Sequence, residues 1–408
     1  SQKYNFRYYG ADDGLPQQSV LSIISDLDGV LHLGTQGGFC RFDGEKFENI
    51  SQKDGLNSNH VTSIYQDTDG QFWLGHRYEA PSYVYNDTVL GLKGGWADSI
   101  RSSTWDITRF GDEVWFVTEK EGLFYYNLKS KSVEKYHHKH LSNVSVTSLL
   151  TLGDKLLIGT NDGLYKKEGS ALSKVTIEDN DLKIIFLKQS KRDEDEVLVL
   201  TTDQLLRLSV NSKIASSTIK VLFERDKTPF TSWSDFIVAD QNEFWIYGQQ
   251  GAVHIDGNEF ETYTSQNGLS MDHVESMHID REKNVWFGLF GQGLCQLLGE
   301  DFIQIDESIG LVDNKVTGIS AYQNEVWITT EEGVSRIYYH TNKLSKIDRI
   351  ENYSSNDKLI DNEVYAVVND NDGNFYLSSM NGVVFYNREK DRFKKLNSSE
   401  YGLSVFNI

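Results

Sequence analysis

Cysteine and proline are nearly absent from this chain: two cysteines and three prolines stand in 408 residues. Cys40 ("GGFCRFDG") and Cys295 ("QGLCQLLG") fall at the same place in two similar segments. Equivalent positions in separate repeat units rarely approach the ~5.5 Å Cα spacing that a disulfide needs, so two free, buried thiols are expected and cysteine usage does not fix the compartment. No apolar run approaches the roughly 20 residues that span a bilayer, and mean hydropathy is −0.47. Basic charge is also scarce. With 40 Lys and Arg against 60 Asp and Glu, the formal charge is −20, which argues against nucleic-acid or anionic-membrane partners, since both need a basic footprint. No leader-like segment opens the chain, because Ser1 runs straight into polar, strand-like sequence; a mature secreted protein stays open on that ground.

Chemical motifs are missing as well. There is no P-loop, HExxH, nucleophile elbow or CxxC pair. "GLFGQGLC" (Gly288 to Cys295) is glycine-rich but lies between two strands rather than before a helix. "YHHKH" (Tyr136 to His140) has no nearby carboxylate and reads as solvated surface rather than a metal site. The turns "DLDG", "DTDG" and "DNDG" are too short for a calcium loop, and Asp favours such turns by bonding its own backbone. No cofactor and no metal is expected.

What is abundant is glycine, with 33 residues, and aromatic residues at 12%, arranged in a repeat. A short β run recurs nine times, centred on His32, Trp73, Trp115, Leu157, Leu198, Trp245, Trp286, Trp327 and Tyr376, at intervals of 41 to 49 residues. Each copy has a "GL", a polar loop, an alternating strand such as "HVTSIY", an Asp/Asn/Gly turn, the aromatic strand, a Gly-containing turn, and two closing strands. Period-2 alternation between such turns predicts four antiparallel strands per unit. Four strands every ~40–45 residues predict an all-β propeller, each unit a blade. The central tryptophans then fill the gaps between neighbouring blades. The predicted units are 14–54, 55–95, 96–140, 141–180, 181–228, 229–267, 268–309, 310–356 and 357–400.

Residues 1–13 ("YNFRYYGADDGL" and what precedes it) read as a fourth strand that closes the last blade. Residues 401–408 read as the start of a further unit, as if the chain were cut from something longer. Nine blades in one ring exceed the usual four to eight, but seven plus two would leave a raw sheet edge. A single ring is preferred on that ground, with a seven-bladed ring plus part of a second as the alternative.

"GLNSNHVTSIYQDTDGQFWLG", "DGLPQQSVLSIISDLDGVLHLGTQGGFCRFDGEKFENI" and "GLVDNKVTGIS…NEVWITTEEGVSRI" resemble the two-component regulator propeller repeat of bacterial sensor histidine kinases and hybrid two-component systems. The resemblance covers nearly the whole chain and is weakest at about 170–225. It implies a non-catalytic periplasmic sensor region whose kinase lies outside this chain, an oligosaccharide or other small ligand, and a homodimer formed through the full-length receptor. A protein-binding propeller of an envelope complex and a propeller-type carbohydrate-active enzyme are the rival readings.

If blades are scaffold, function belongs where a copy departs from the repeat. The largest departure lies at units two and three. There "GTxxG" becomes "HRYEAP", a gain of about two residues, the fourth strand "TVLGL" is obscure, and the following connection becomes "KGGWADSIRSST". In an up-and-down blade these two loops share one face. They supply Arg77, Tyr78, Glu79, Trp96, Asp98, Arg101 and Trp105, a set suited to a sugar or peptide. Trp105 falls one place after the apolar position and so points away from the side its neighbours bury. His60, His273, Phe290 and Gln292 are predicted on the same face. The competing reading is that the altered loops repack a degenerate blade or form a subunit contact.

Overall fold

The computed structural model describes residues 3–86, 88–176, 182–209, 219–298, 303–340, 343–356 and 359–396. The predicted start of a further unit at 401–408 lies outside the described residues. The described residues are all-β, with nine four-stranded antiparallel sheets among them, numbered in order of their first strands. Each of the nine predicted β runs is the second strand of one sheet.

The turns between first and second strands show why the Asp-rich spacing recurs. In sheet 2, Asp67 Oδ1 accepts from the Asp69 and Gln71 amides at 2.9 and 3.0 Å, while Oδ2 accepts from the Trp73 indole N–H at 2.9 Å. Asp280 does the same for Trp286 at 2.9 Å. One carboxylate thus closes the hairpin and orients the aromatic wedge, leaving little of it for a cation. Trp73 packs against Ile107, Phe116 and Phe124 of sheet 3, and Trp115 against Leu149 and Ile158 of sheet 4.

Two compact units emerge. In the unit of Phe6–Leu297, sheet 7 takes three strands from its own segment (Val274–Ile279, Val285–Leu289, Gly293–Leu297) and its fourth from Phe6–Tyr9. The first strands touch in cyclic order, sheet 7 returning to sheet 1. The ring therefore closes at seven blades, and the single nine-bladed ring preferred from sequence is incorrect. The N-terminal strand occupies the outer edge of sheet 7, and Ser276 Oγ donates to Val20 O at 2.9 Å across the seam. Gly293 makes the closure possible. At φ 82° it lies against the N-terminal strand, and a Cβ there would sit 2.3 Å from Tyr9 O. The second unit, Ser1–Asn5 with Leu298–Ile408, holds sheets 8 and 9 and a short ladder between Lys3–Tyr4 and Ile303–Gln304.

Candidate functional site

The ring encloses a cavity of about 810 Å³ along its axis. Its wall is built from the first strands of sheets 1, 2, 3, 5, 6 and 7. Those of sheets 1, 2, 3 and 7 share a β-bulge, with pairing that skips Leu21, Thr62, Trp105 and Glu275. A bulged residue leaves the ladder and re-aims its side chain, and all four of these line the cavity. At this position Trp105 is the large one: Thr104 before it is buried, while Trp105 is 49% exposed.

The rim is made by turns between second and third strands (Gln36, Arg77, Tyr78, Glu119, Lys120, Gln249, Phe290) and by residues just before first strands (His60, Ser103, Ser234, His273). These loops share one face because the strands run up and down. A repeated backbone tie fixes them. The first amide of the turn donates to the residue preceding the first strand, as in Arg77 N to His60 O and Phe290 N to His273 O, both 3.1 Å.

Blade 2 differs from blades 1 and 4 where its second strand ends. In sheets 1 and 4 the second strand ends in Thr35 or Thr160, whose hydroxyl donates to Gly38 O at 2.9 Å or Gly163 O at 2.7 Å and clamps a two-residue turn. In sheet 2, His76 stands there and the loop runs from 77 to 81, longer than the sequence comparison suggests. The His76 ring is wholly buried, with Nε2 2.8 Å from Ser82 Oγ across the loop. Asn57 anchors the same loop from the preceding connection, its amide N–H₂ donating to Ala80 O at 3.0 Å and Leu92 O at 2.9 Å. Held at both ends, the loop presents Tyr78 at φ 69° with its ring 53% exposed, and the Arg77 guanidinium lies 4.8 Å over that ring.

The candidate residues separate into two groups. Arg77, Tyr78, Trp105, His60, His273 and Phe290 line the cavity. Phe290 is 45% exposed and stacks on His273, centroids 5.1 Å apart, while His273 Nε2 is 3.3 Å from Glu275 Oε1. Outside the cavity, Trp96 sits on a short 3₁₀ turn (Gly95–Ser99) beside His137, 6.0 Å between centroids. Asp98 accepts from the Gly94 amide at 2.9 Å, Arg101 lies 3.9 Å from Glu79, and Gln292 is exposed. The altered loops also pack: Ala80, Leu92, Ala97 and Ile100 join the core between sheets 2 and 3, and "TVLG" is a regular fourth strand, Thr88–Gly91.

Deeper in the cavity lies a polar layer that the sequence reading missed. Lys188 Nζ is 3.0 Å from Asp235, which also accepts from the Tyr247 hydroxyl at 3.0 Å. Asp106 Oδ2 accepts from the Leu149 amide and the Ser148 hydroxyl, both at 2.8 Å, tying blade 3 to blade 4. A signal existed, since Asp106 stands where sheets 1, 2, 4 and 7 carry Ser22, Ser63, Ser148 and Ser276. Burial pushes Asp106 up to about 6, against the pull of those hydrogen bonds and with a further push from Asp235. Burial also lowers His76 to about 3 and His278 to about 4. Ser25 Oγ is 2.8 Å from His278 Nε2, yet a histidine this depressed is a feeble base at neutral pH. Ser25 is also not among the cavity-lining residues.

These shifts set a pH dependence. Below pH 6.5 the unfolded chain protonates at His76 and His278 while the folded chain does not, so stability is lost as pH falls from 6.5 toward 4. Each histidine contributes a slope of about 1.4 kcal/mol per pH unit. Asp106 acts oppositely, because its folded form binds a proton from about pH 6 downward, and offsets at most one of the two. Urea midpoints measured from pH 7 to pH 5 should therefore fall, and His278→Gln should flatten the fall. An unchanged slope in that variant would count against a neutral, buried His278.

A seven-bladed ring around a lined axial cavity, open on one loop face, defines a β-propeller. Residues 55–78, from Gly55 through the first strand of sheet 2 to Tyr78, match the family described as two component regulator propeller. In fold, the chain resembles the extracellular domain of the putative hybrid two component system BT3049 from B. thetaiotaomicron. The TM-score is 0.70 at 18% identity, over 97% of this chain and 55% of that one. The extracellular domain of BT4673 from the same organism gives 0.57 at 16%, over 97% and 54%. A streptogramin B lyase gives 0.56 at 13%, over 72% of this chain and 97% of its own. At these identities the likeness is one of fold, and the chain spans just over half of the two extracellular domains. No curated protein matches it. Among the described residues no helix is long and apolar enough to cross a membrane, and no group of His, Cys, Asp and Glu could hold a metal ion. Cys40 and Cys295 are buried and free.

Proposed function

We propose that this propeller is the extracytoplasmic, non-catalytic sensor region of a two-component signalling protein, and that it binds an oligosaccharide at the rim of the axial cavity. The supporting observation is the rim itself. Tyr78, Trp105 and Phe290, from blades 2, 3 and 7, hold aromatic rings about half exposed around one opening. Exposed aromatics at a concave, polar-lined mouth suit the apolar faces of sugar rings, which stack while their hydroxyls take hydrogen bonds. The family match at 55–78 and the fold shared with extracellular domains of putative two-component systems support the signalling role. In that role, occupancy is passed to a kinase region outside this chain, in a homodimer of the full-length receptor.

Calorimetry against a glycan panel tests the reading. Trp105→Ala is expected to weaken binding about tenfold or more, from the loss of roughly 1.5 kcal/mol of stacking, whereas Trp96→Ala, outside the cavity, leaves it unchanged. Equal losses in both variants would move the site outward to the altered connection of blade 2. Turnover of a panel member would instead favour a propeller enzyme, as streptogramin B lyase is.

A further inference from the structure

The charges at the rim narrow the ligand. Taking the cavity as the ligand site, we infer that its ligand is an acidic sugar, whose carboxylate or sulfate is read by Arg77 and Lys120 while a ring stacks on Trp105. The cavity's basic side chains are of two kinds, one neutralised by a carboxylate and one not. Lys188 pairs with Asp235 inside the cavity, and outside it Arg109 pairs with Asp69 and Arg101 with Glu79. Arg77 and Lys120, both exposed and on consecutive blades of the same cavity, have no such partner among the described residues. The Arg77 guanidinium is held over the Tyr78 ring at 4.8 Å, which positions the charge without cancelling it. A guanidinium so placed presents its fork of donors to a planar or tetrahedral anion.

The cavity's carboxylates are mostly engaged. Glu275 pairs with His273, Asp235 with Lys188 and Tyr247, and Asp106 with the Leu149 amide and Ser148. Glu119 is the exception at the rim, exposed and adjacent to Lys120. It opposes an anion there, which makes it a diagnostic position.

The test is calorimetry with uronic-acid oligosaccharides and sulfated disaccharides, each beside a neutral oligosaccharide of equal length, at low and at physiological ionic strength. Acidic members are expected to bind more tightly than their neutral counterparts and to weaken with salt. Arg77→Ala and Lys120→Ala should each weaken acidic binding about tenfold or more, as loss of a charge-assisted hydrogen bond does. Glu119→Gln should tighten it. Both basic side chains are exposed, so the variants should fold, which thermal melts will check. Binding of neutral members alone, or acidic binding indifferent to all three substitutions, overturns the charge assignment and leaves the ligand site standing. No binding by any member overturns the ligand site too.

Discussion

Replacing Phe6–Tyr9 with a Gly-Ser segment of equal length is expected to cost at least about 5 kcal/mol and to promote association. Tyr9 is buried among Phe42, Phe47 and Trp286, so it contacts blades 1 and 7 together. Losing an aromatic side chain at such a site costs about 3–5 kcal/mol. Each lost ladder hydrogen bond, from the pairs Phe6–Leu297 to Tyr9–Leu294, adds about 1 kcal/mol. The replacement also bares the Gly293–Leu297 edge, a template for strand addition by another chain. Urea unfolding with light scattering reads both effects. A synthetic peptide of residues 3–10 should recover part of the stability by occupying the vacant edge. A midpoint close to that of the unaltered chain would mean the seam is closed by side-chain packing between blades rather than by this strand.

Trp73→Ala is the second large effect, expected at about 3–5 kcal/mol. The indole is buried among Ala80, Ile107 and Phe124, with Tyr83 and Tyr126 at centroid distances of 5.1 and 5.4 Å. Its N–H also satisfies Asp67, whose carboxylate is wholly buried. Trp73→Phe separates the two contributions. It keeps most of the wedge but removes the donor, so its cost should be smaller, about 1–3 kcal/mol. If both variants cost the same, the hydrogen bond to Asp67 within blade 2, rather than the ring volume packed against blade 3, carries the stability at this position. Ala80 and Ile100 share this cluster with Trp73, so the alanine variant should also loosen the loop bearing Arg77 and Tyr78 and weaken any ligand held there.

Blade architecture was legible because its causes are local. Alternation sets strand faces, Asp at the hairpin bonds its own backbone and the indole six residues on, and Gly75 follows from contact with the next blade. A Cβ on Gly75 would lie 2.2 Å from Ser63 Oγ and 2.9 Å from Thr104 O. The altered loops of blade 2 were also visible, as a break in a regular pattern. Which of their residues reach the cavity was not. Trp96 and Trp105 are nine positions apart and equally unusual in sequence, yet a 3₁₀ turn carries one outside the cavity and a β-bulge turns the other into it.

The chain by itself thus determined the strand pattern, the turn chemistry and the wedge residues, because each depends on neighbours within one repeat or the next. The tertiary structure alone decided the blade count of the ring, since "FRYY" reads like any other fourth strand until it pairs with a segment nearly 290 residues away. It also decided the site. Arg77, Trp105, Lys188, Asp235 and Phe290 come from five different blades, and only closure of a seven-fold ring brings those first strands around one axis.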